Sequence, residues 1–275
     1  MRDLTGKTAF VTGGASGIGL SMGRAFALAG MKVMLADIEA GALQQAVESL
    51  RPFGPDIRGI TCDVADPASV ARAAQASFDA FGKVHVLCNN AGVLTTDGID
   101  QISFDNWRWV LDVNVMGVVH GIHAFLPHIR AHGEGGHIVN TASMAGLIPR
   151  AFNAYRASKF AVVAMSEGLA AELRPHGIGV SLLCPDVVRT GIDKSGRNRP
   201  GRYGQAQPLD PASPAAAAVA QTAAKIATGL EPDHVADPVL AAIRDDELYV
   251  FTHPGMRAKV EGRFSAILAA MDKVE

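Results

Sequence analysis

Short apolar runs alternate along the chain with longer stretches in which apolar residues recur every three or four positions. The runs at 8–12, 32–36, 57–62, 84–89, 137–141 and 179–184 are rich in β-branched residues and too short for helices, so they predict strands. Between them the periodicity predicts helices over about 17–29, 40–50, 67–81, 104–131 and 153–174. A further helix near 232–244 leads into a seventh strand at 247–251. Strands alternating with helices imply a parallel sheet whose right-handed crossovers put helices on both faces. The predicted fold class is α/β, one doubly wound seven-stranded parallel sheet.

The alternation breaks after the sixth strand. From 186 to about 231 the chain carries Gly196, Pro200, Gly201, Gly204, Pro208, Pro211 and Pro214, then an alanine-rich stretch of high helix propensity at 215–228. This is too long for an ordinary connection. It leaves the carboxyl edge of the sheet, where open α/β folds bind ligands. Residues 186–231 therefore read as a substrate-covering lid, with a dispensable surface insertion as the alternative.

Composition narrows the partners. With 48% hydrophobic and 19% charged residues, the 275-residue chain can fill the core of a single domain, 1–275. A net charge of -2, with Lys and Arg spread along the chain, gives no reason to expect nucleic acid. No signal-peptide pattern opens the sequence and no run of eighteen apolar residues occurs, so no membrane partner and a cytoplasmic location are expected. Cys62, Cys88 and Cys184 lack ligand or redox spacing and read as buried thiols. His120, His123, His128, His132 and His137 are scattered; the 128/132 pair has no surrounding zinc motif and reads as a solvated helix end, so no metal is expected.

Three groups of residues carry chemistry. The first strand ends in Thr12-Gly13-Gly14-Ala15-Ser16-Gly17-Ile18-Gly19 and runs into a helix. Glycines there let the backbone approach a pyrophosphate, whose charge suits the helix N-terminus. Asp37 closes the second strand, where a carboxylate can accept hydrogen bonds from ribose hydroxyls and repel a 2′-phosphate; a helix cap is compatible with the same position. Neither Ser16 nor Ile38 supplies a cation, so the cofactor expected is NAD. Tyr155 and Lys159 stand four apart on a predicted helix and share a face. A free tyrosine titrates near about pH 10, and a nearby cation favours phenolate. Ser143, just after the fifth strand, can hydrogen-bond a substrate oxygen.

Together with Asn89-Asn90-Ala91-Gly92 and Asn114, these motifs stand in an order that resembles the short-chain dehydrogenase/reductase family from about Lys7 to Phe251. The resemblance implies a single-domain Rossmann fold of strand order 3-2-1-4-5-6-7 and a small-molecule alcohol or ketone substrate. It implies Tyr155 as proton carrier, Ser143 as its partner, Lys159 on the nicotinamide ribose, and Asn114 bending its helix and holding a relay water. Gly13, Ser16, Gly17, Ile18, Gly19 and Asp37 would bind the cofactor. So would Asp63 and Val64 at the adenine, Asn90, Ala91 and Gly92 along the cleft, and Pro185, Val188 and Thr190 near the nicotinamide. A homotetramer or homodimer is implied as well. One departure is Asp186, where the family has glycine after Pro185.

Within the family, 136–143, 195–200, 248–253 and 257–271 are similar to bacterial NAD-dependent Cα-dehydrogenases, which oxidise the benzylic alcohol of lignin-derived aryl ethers. The substrate expected is thus a hydrophobic secondary alcohol. Met144, Leu147, Phe152, Val187 and Tyr203 are candidate pocket residues, each alternatively core or lid packing. A ketone reductase, or an NAD-binding sensor without turnover, would carry many of the same residues.

Overall fold

The computed structural model describes residues 1–54, 56–95, 102–204 and 210–274. Within the 186–231 segment, residues 205–209, Pro208 included, lie outside the described residues. Seven parallel strands form one sheet: β1 (Thr8–Thr12), β2 (Lys32–Asp37), β3 (Ile57–Thr61), β4 (Val86–Asn89), β5 (Gly136–Thr141), β6 (Ile178–Cys184) and β7 (Tyr249–Phe251). Their order is β3-β2-β1-β4-β5-β6-β7. The middle strands β1, β4 and β5 are buried along their whole length. That is why none of them shows an alternating exposed polar face, and why the polar groups of β5, such as His137 and Asn140, are themselves buried.

Each expected strand is present. The largest differences are at β4 and β7, which begin two residues later than the periodicity implies. At β4 the reason is His85, whose Nδ1 takes the Thr8 N–H at 3.1 Å, so a side chain replaces a ladder partner.

Helices α1 (Gly17–Leu28), α2 (Ala40–Leu50) and α8 (Asp233–Asp245) cover one face, with α3 (Pro67–Phe81), α5 (Gly117–Ala131) and α6 (Ala154–Leu173) on the other. Phe26, Leu35 and Ile243 fill the first core; Phe10, Phe125 and Ile138 fill the second, with the Phe10 and Phe125 rings 4.4 Å apart. The expected helix over 104–131 is interrupted: α4 (Phe104–Leu111) and α5 are joined by a π-helical turn, Asp112–Met116. By length and composition this 28-residue helix could cross a membrane, but Val110, Val118, Phe125 and Ile129 are buried in the protein core.

Helix α7 (Pro214–Ala227) forms from the alanine-rich stretch. A terminal helix, α9 (Arg257–Met271), has no fully buried residue and rests on the body through Met256 and Val260. All three cysteines are free and buried, and burial pushes the thiols up, Cys62 to about 11 and Cys184 to about 12. Of the 128/132 pair, His128 is exposed and stacks on Phe78, whereas His132 bonds the Val84 carbonyl at 3.1 Å and is not simply solvated. Among the described residues no cluster of three His, Cys, Asp or Glu side chains could hold a metal.

Candidate active site

The carboxyl ends of the central strands open into a cavity of about 780 Å³. Its two ends differ in chemistry.

At one end lies the glycine loop. Ser16 caps α1 without a side-chain hydrogen bond, and Ser16, Gly17 and Ile18 line the cavity. The first turn of a helix leaves backbone N–H groups without intrahelical partners, so this is a site for an anion. Gly13 sits at φ +64°, and a Cβ there would approach the Ala91 Cα to 2.9 Å. Gly19 is required for a different reason: it is not in the cavity wall, and a Cβ would meet the Gly13 carbonyl at 2.1 Å. Thr12 fastens the loop to the end of β4, its Oγ1 accepting the Asn90 and Ala91 N–H groups at 2.9 and 3.0 Å. Asn90, Ala91 and Gly92 continue the wall.

Asp37 also faces the cavity. Its Oδ2 accepts the Ala15 N–H and its Oδ1 the Glu39 N–H, each at 3.0 Å. The residue capping α2 is Glu39, so Asp37 ties the glycine loop to β2 and is not the cap. Each carboxylate oxygen keeps a lone pair for a ribose hydroxyl. Close backbone approach, a helix start without a side-chain cap hydrogen bond and a carboxylate at the end of β2 together fit a dinucleotide.

Asp63 and Val64 do not line the cavity. Asp63 is turned to Arg202, 2.7 Å away, and Val64 is buried with its carbonyl bonded to His120 Nδ1. Both residues are expected at the adenine; in this conformation an ion pair holds the Asp63 side chain and core packing that of Val64.

At the other end Ser143, Tyr155 and Lys159 converge. Ser143 caps a short turn, accepting the Ala145 N–H at 3.1 Å and donating to the Pro185 carbonyl at 3.2 Å. Asn153 caps α6 by accepting the Arg156 N–H at 2.9 Å, which sets Tyr155 in the first turn and Lys159 one turn on. Ser143 is the polar neighbour that acts on the Tyr155 hydroxyl. Lys159 Nζ donates to the Thr141 carbonyl at 2.8 Å and lies 5.6 Å from the Tyr155 ring centre.

This corrects the expectation that Lys159 lowers the tyrosine. Burial raises the Tyr155 hydroxyl above its ordinary value, with the Ser143 hydrogen bond acting the other way. Burial also pulls Lys159 down to about 8. In this conformation the ammonium faces a carbonyl and the ring, so desolvation outweighs the attraction that sequence spacing suggests.

Asn114 sits in the π-helical turn, buried, and is not in the cavity wall. Its Oδ1 accepts the Val93 N–H at 2.8 Å, and its Nδ2 donates to the Val93 carbonyl and the Ser158 hydroxyl, both at 3.0 Å. It therefore positions the segment after Gly92 against α6. Pro185, Val188 and Thr190 line the cavity as expected positions do. Asp186 lies beside them with its N–H on His253 Nδ1 at 3.3 Å. Its backbone is not left-handed; among the described non-glycine residues only Asp246 is.

Of the candidate pocket residues, Phe152 and Val187 line the cavity. Met144 and Leu147 do not; they pack into the core against Val162 and Val163. Tyr203 is likewise buried beside Trp109, its hydroxyl on Asp112 at 2.9 Å. The wall is completed by residues that sequence reading did not select: Leu94, Ile192, and Ala218, Thr222 and Ile226 from α7. The last three recur every four positions on one face of α7, a spacing visible in the sequence. Glu39, Arg197 and Asn198 also line the cavity; the last two fall in the 195–200 stretch singled out by resemblance, but nothing local places them in a wall.

A family model described as short chain dehydrogenase matches residues 7–200. A solved short chain dehydrogenase/reductase from Burkholderia phymatum, in complex with NAD, is 40% identical, superposes with a TM-score of 0.93, and covers 98% of this chain and 97% of its own. A C alpha-dehydrogenase from Sphingobium is 33% identical over 100% of this chain and 90% of its own length. A 1-deoxy-11-beta-hydroxypentalenate dehydrogenase from Streptomyces avermitilis is 33% identical over 94% of this chain and 89% of its length.

Proposed function

The chain belongs to the short chain dehydrogenase family, and from that premise we propose that it oxidises a hydrophobic secondary alcohol, benzylic in kind, to the ketone with NAD. The observation that carries this reading is the meeting of Ser143, Tyr155 and Lys159 in one cavity with the glycine loop and Asp37. NAD, when bound, supplies the acceptor for the hydride that leaves the carbinol carbon. The start of α1 and Gly13 would hold its pyrophosphate, and Asp37 its adenosine ribose.

Ser143 orients the substrate oxygen by a hydrogen bond, exchanging its contact with the Pro185 carbonyl for one with the alcohol. Tyr155 takes the hydroxyl proton as general base. A free tyrosine deprotonates only near about pH 10, and burial shifts Tyr155 upward, so the Lys159 ammonium one turn on is the charge we assign to favour phenolate during the reaction. Phe152, Val187 and the α7 face of Ala218, Thr222 and Ile226 supply apolar walls that exclude water from the reacting carbon. We assign the whole of 1–275 to one catalytic domain, with 186–231 as its lid. The relatives named for alcohol dehydrogenation support the reaction class, and the Sphingobium C alpha-dehydrogenase supports the benzylic choice.

The test is reduced-cofactor formation with NAD and a panel of 1-arylalkanols and aliphatic secondary alcohols. Benzylic members should turn over best. Tyr155→Phe should lower kcat/KM by about a thousandfold while NADH still binds by fluorescence titration. Turnover that survives Tyr155→Phe would overturn the proton-transfer role.

A further inference from the structure

Beyond Thr190 the chain crosses the adenosine end of the cleft as a strap fastened on both rims. On one rim Ser195, 4% exposed, accepts the Leu94 N–H at 3.0 Å and donates to the Leu94 carbonyl at 3.2 Å. On the other, Arg197 Nη2 meets Glu39 Oε1 at 2.7 Å, and Arg197 Nε lies 3.1 and 3.2 Å from the two carboxylate oxygens. Asn198 Nδ2 donates to the same Oε1 at 2.8 Å. Further along, Arg202 pairs with Asp63 at 2.7 Å. Strands β2 and β3 are neighbours, with Asp37 opposite Thr61. Glu39 and Asp63 thus lie just beyond two adjacent strand ends, and the strap passes over the notch between them.

The charges in this notch are matched. Arg197 commits four of its five N–H donors, since Nη1 also reaches the Gly191 and Lys194 carbonyls at 3.1 and 3.0 Å. Its positive charge is met by Glu39, whose carboxyl those hydrogen bonds hold below its ordinary range. Asp37, Glu39, Arg197 and Asn198 line the same cavity. A 2′-phosphate on a ribose at Asp37 would bring a charge of about -2 toward two carboxylates, with the nearby guanidinium already engaged.

We propose that Glu39 is a specificity-determining residue for the dinucleotide. By closing an ion pair with Arg197 it withholds the guanidinium from a 2′-phosphate, and so adds to Asp37 in favouring NAD over NADP. The inference rests on the NAD-binding reading of this site given above. A guanidinium is the side chain best shaped to take a phosphate through paired hydrogen bonds, so its release has a definite consequence. Asp37 remains in the variant, so the preference should narrow and not invert.

The experiment is fluorescence titration of NADH and NADPH into the wild type, Glu39→Gln, Arg197→Ala and the double variant. The wild type should bind NADH more tightly. Glu39→Gln should tighten NADPH on the order of tenfold and leave NADH within about threefold. Arg197→Ala should not tighten NADPH, and in the double variant it should cancel the gain. Glu39→Ala repeats the comparison if the glutamine variant does not fold. An unchanged NADH-to-NADPH ratio in a folded Glu39 variant, or a gain that survives loss of Arg197, overturns the inference alone. A wild type that binds neither dinucleotide overturns the proposed function, and this inference with it.

Discussion

Lys159 is 3% exposed and its ammonium donates to the Thr141 carbonyl, while burial lowers its value to about 8 from the ordinary 10.5. Between those two values the folded chain has released a proton that the unfolded chain still holds. Wild-type stability should therefore rise with pH through that window, by up to about 1.4 kcal/mol per unit. Below it the folded protein bears the cost of a buried charge. Lys159→Met should lose turnover yet be at least as stable as the wild type at pH 7. Urea unfolding at a series of pH values should show the variant's advantage shrinking from about pH 8 to 10.5; a constant gap across the window would count against a buried charged Lys159. Spacing placed Tyr155 and Lys159 together, but the sign of their pKa shifts depends on how far water is excluded.

The helix over Phe104–Ala131 shows what an element adds to a residue. Apolar periodicity runs through it without a break, yet Asp112–Met116 adopts a π-helical turn. Such turns often sit at functional sites because one inserted residue re-aims a side chain. Here Asn114 is turned inward to serve both backbone groups of Val93 and the Ser158 hydroxyl. Asn114→Ala leaves the Val93 N–H and carbonyl buried without those partners, which should cost about 2 kcal/mol in urea unfolding. The same variant should lower kcat more than it weakens NADH binding, since Val93 leads away from the loop that Thr12 anchors. Helix α7 makes the complementary case: its i, i+4 face of Ala218, Thr222 and Ile226 was readable as a surface, but not as a cavity wall.

Across the whole molecule the sheet separates two cores from the site they support. Phe125 lies in the second core, fully buried against Phe10 and Phe78, and takes no part in the cavity. Phe125→Ala should cost about 3–5 kcal/mol while leaving KM unchanged for protein that remains folded; a shift in KM would mean that the core and the cleft are coupled. At the amino ends of the strands, Glu134 gathers Lys7, Lys83 and His85, and these contacts hold its carboxyl well below the usual range. That cluster, exposed at Lys83 and Glu134 and backed by the buried His85, lies at the opposite strand ends from the cleft.

By itself the amino-acid sequence determined the strands and helices, the parallel sheet, the glycine loop, and the common face of Tyr155 and Lys159. These follow from periodicity and backbone constraints between residues close in the chain. The strand order came from family resemblance, and pairing in the fold bears it out. Only the tertiary structure decided that Met144, Leu147 and Tyr203 point into the core, because a turn's periodicity does not say which side faces a cavity. Only it brought Arg197 to Glu39, 158 positions away, and Asp63 to Arg202, 139 positions away. Contacts of that range, and the desolvation that sets Tyr155 and Lys159, arise from packing between distant segments, which no local pattern encodes.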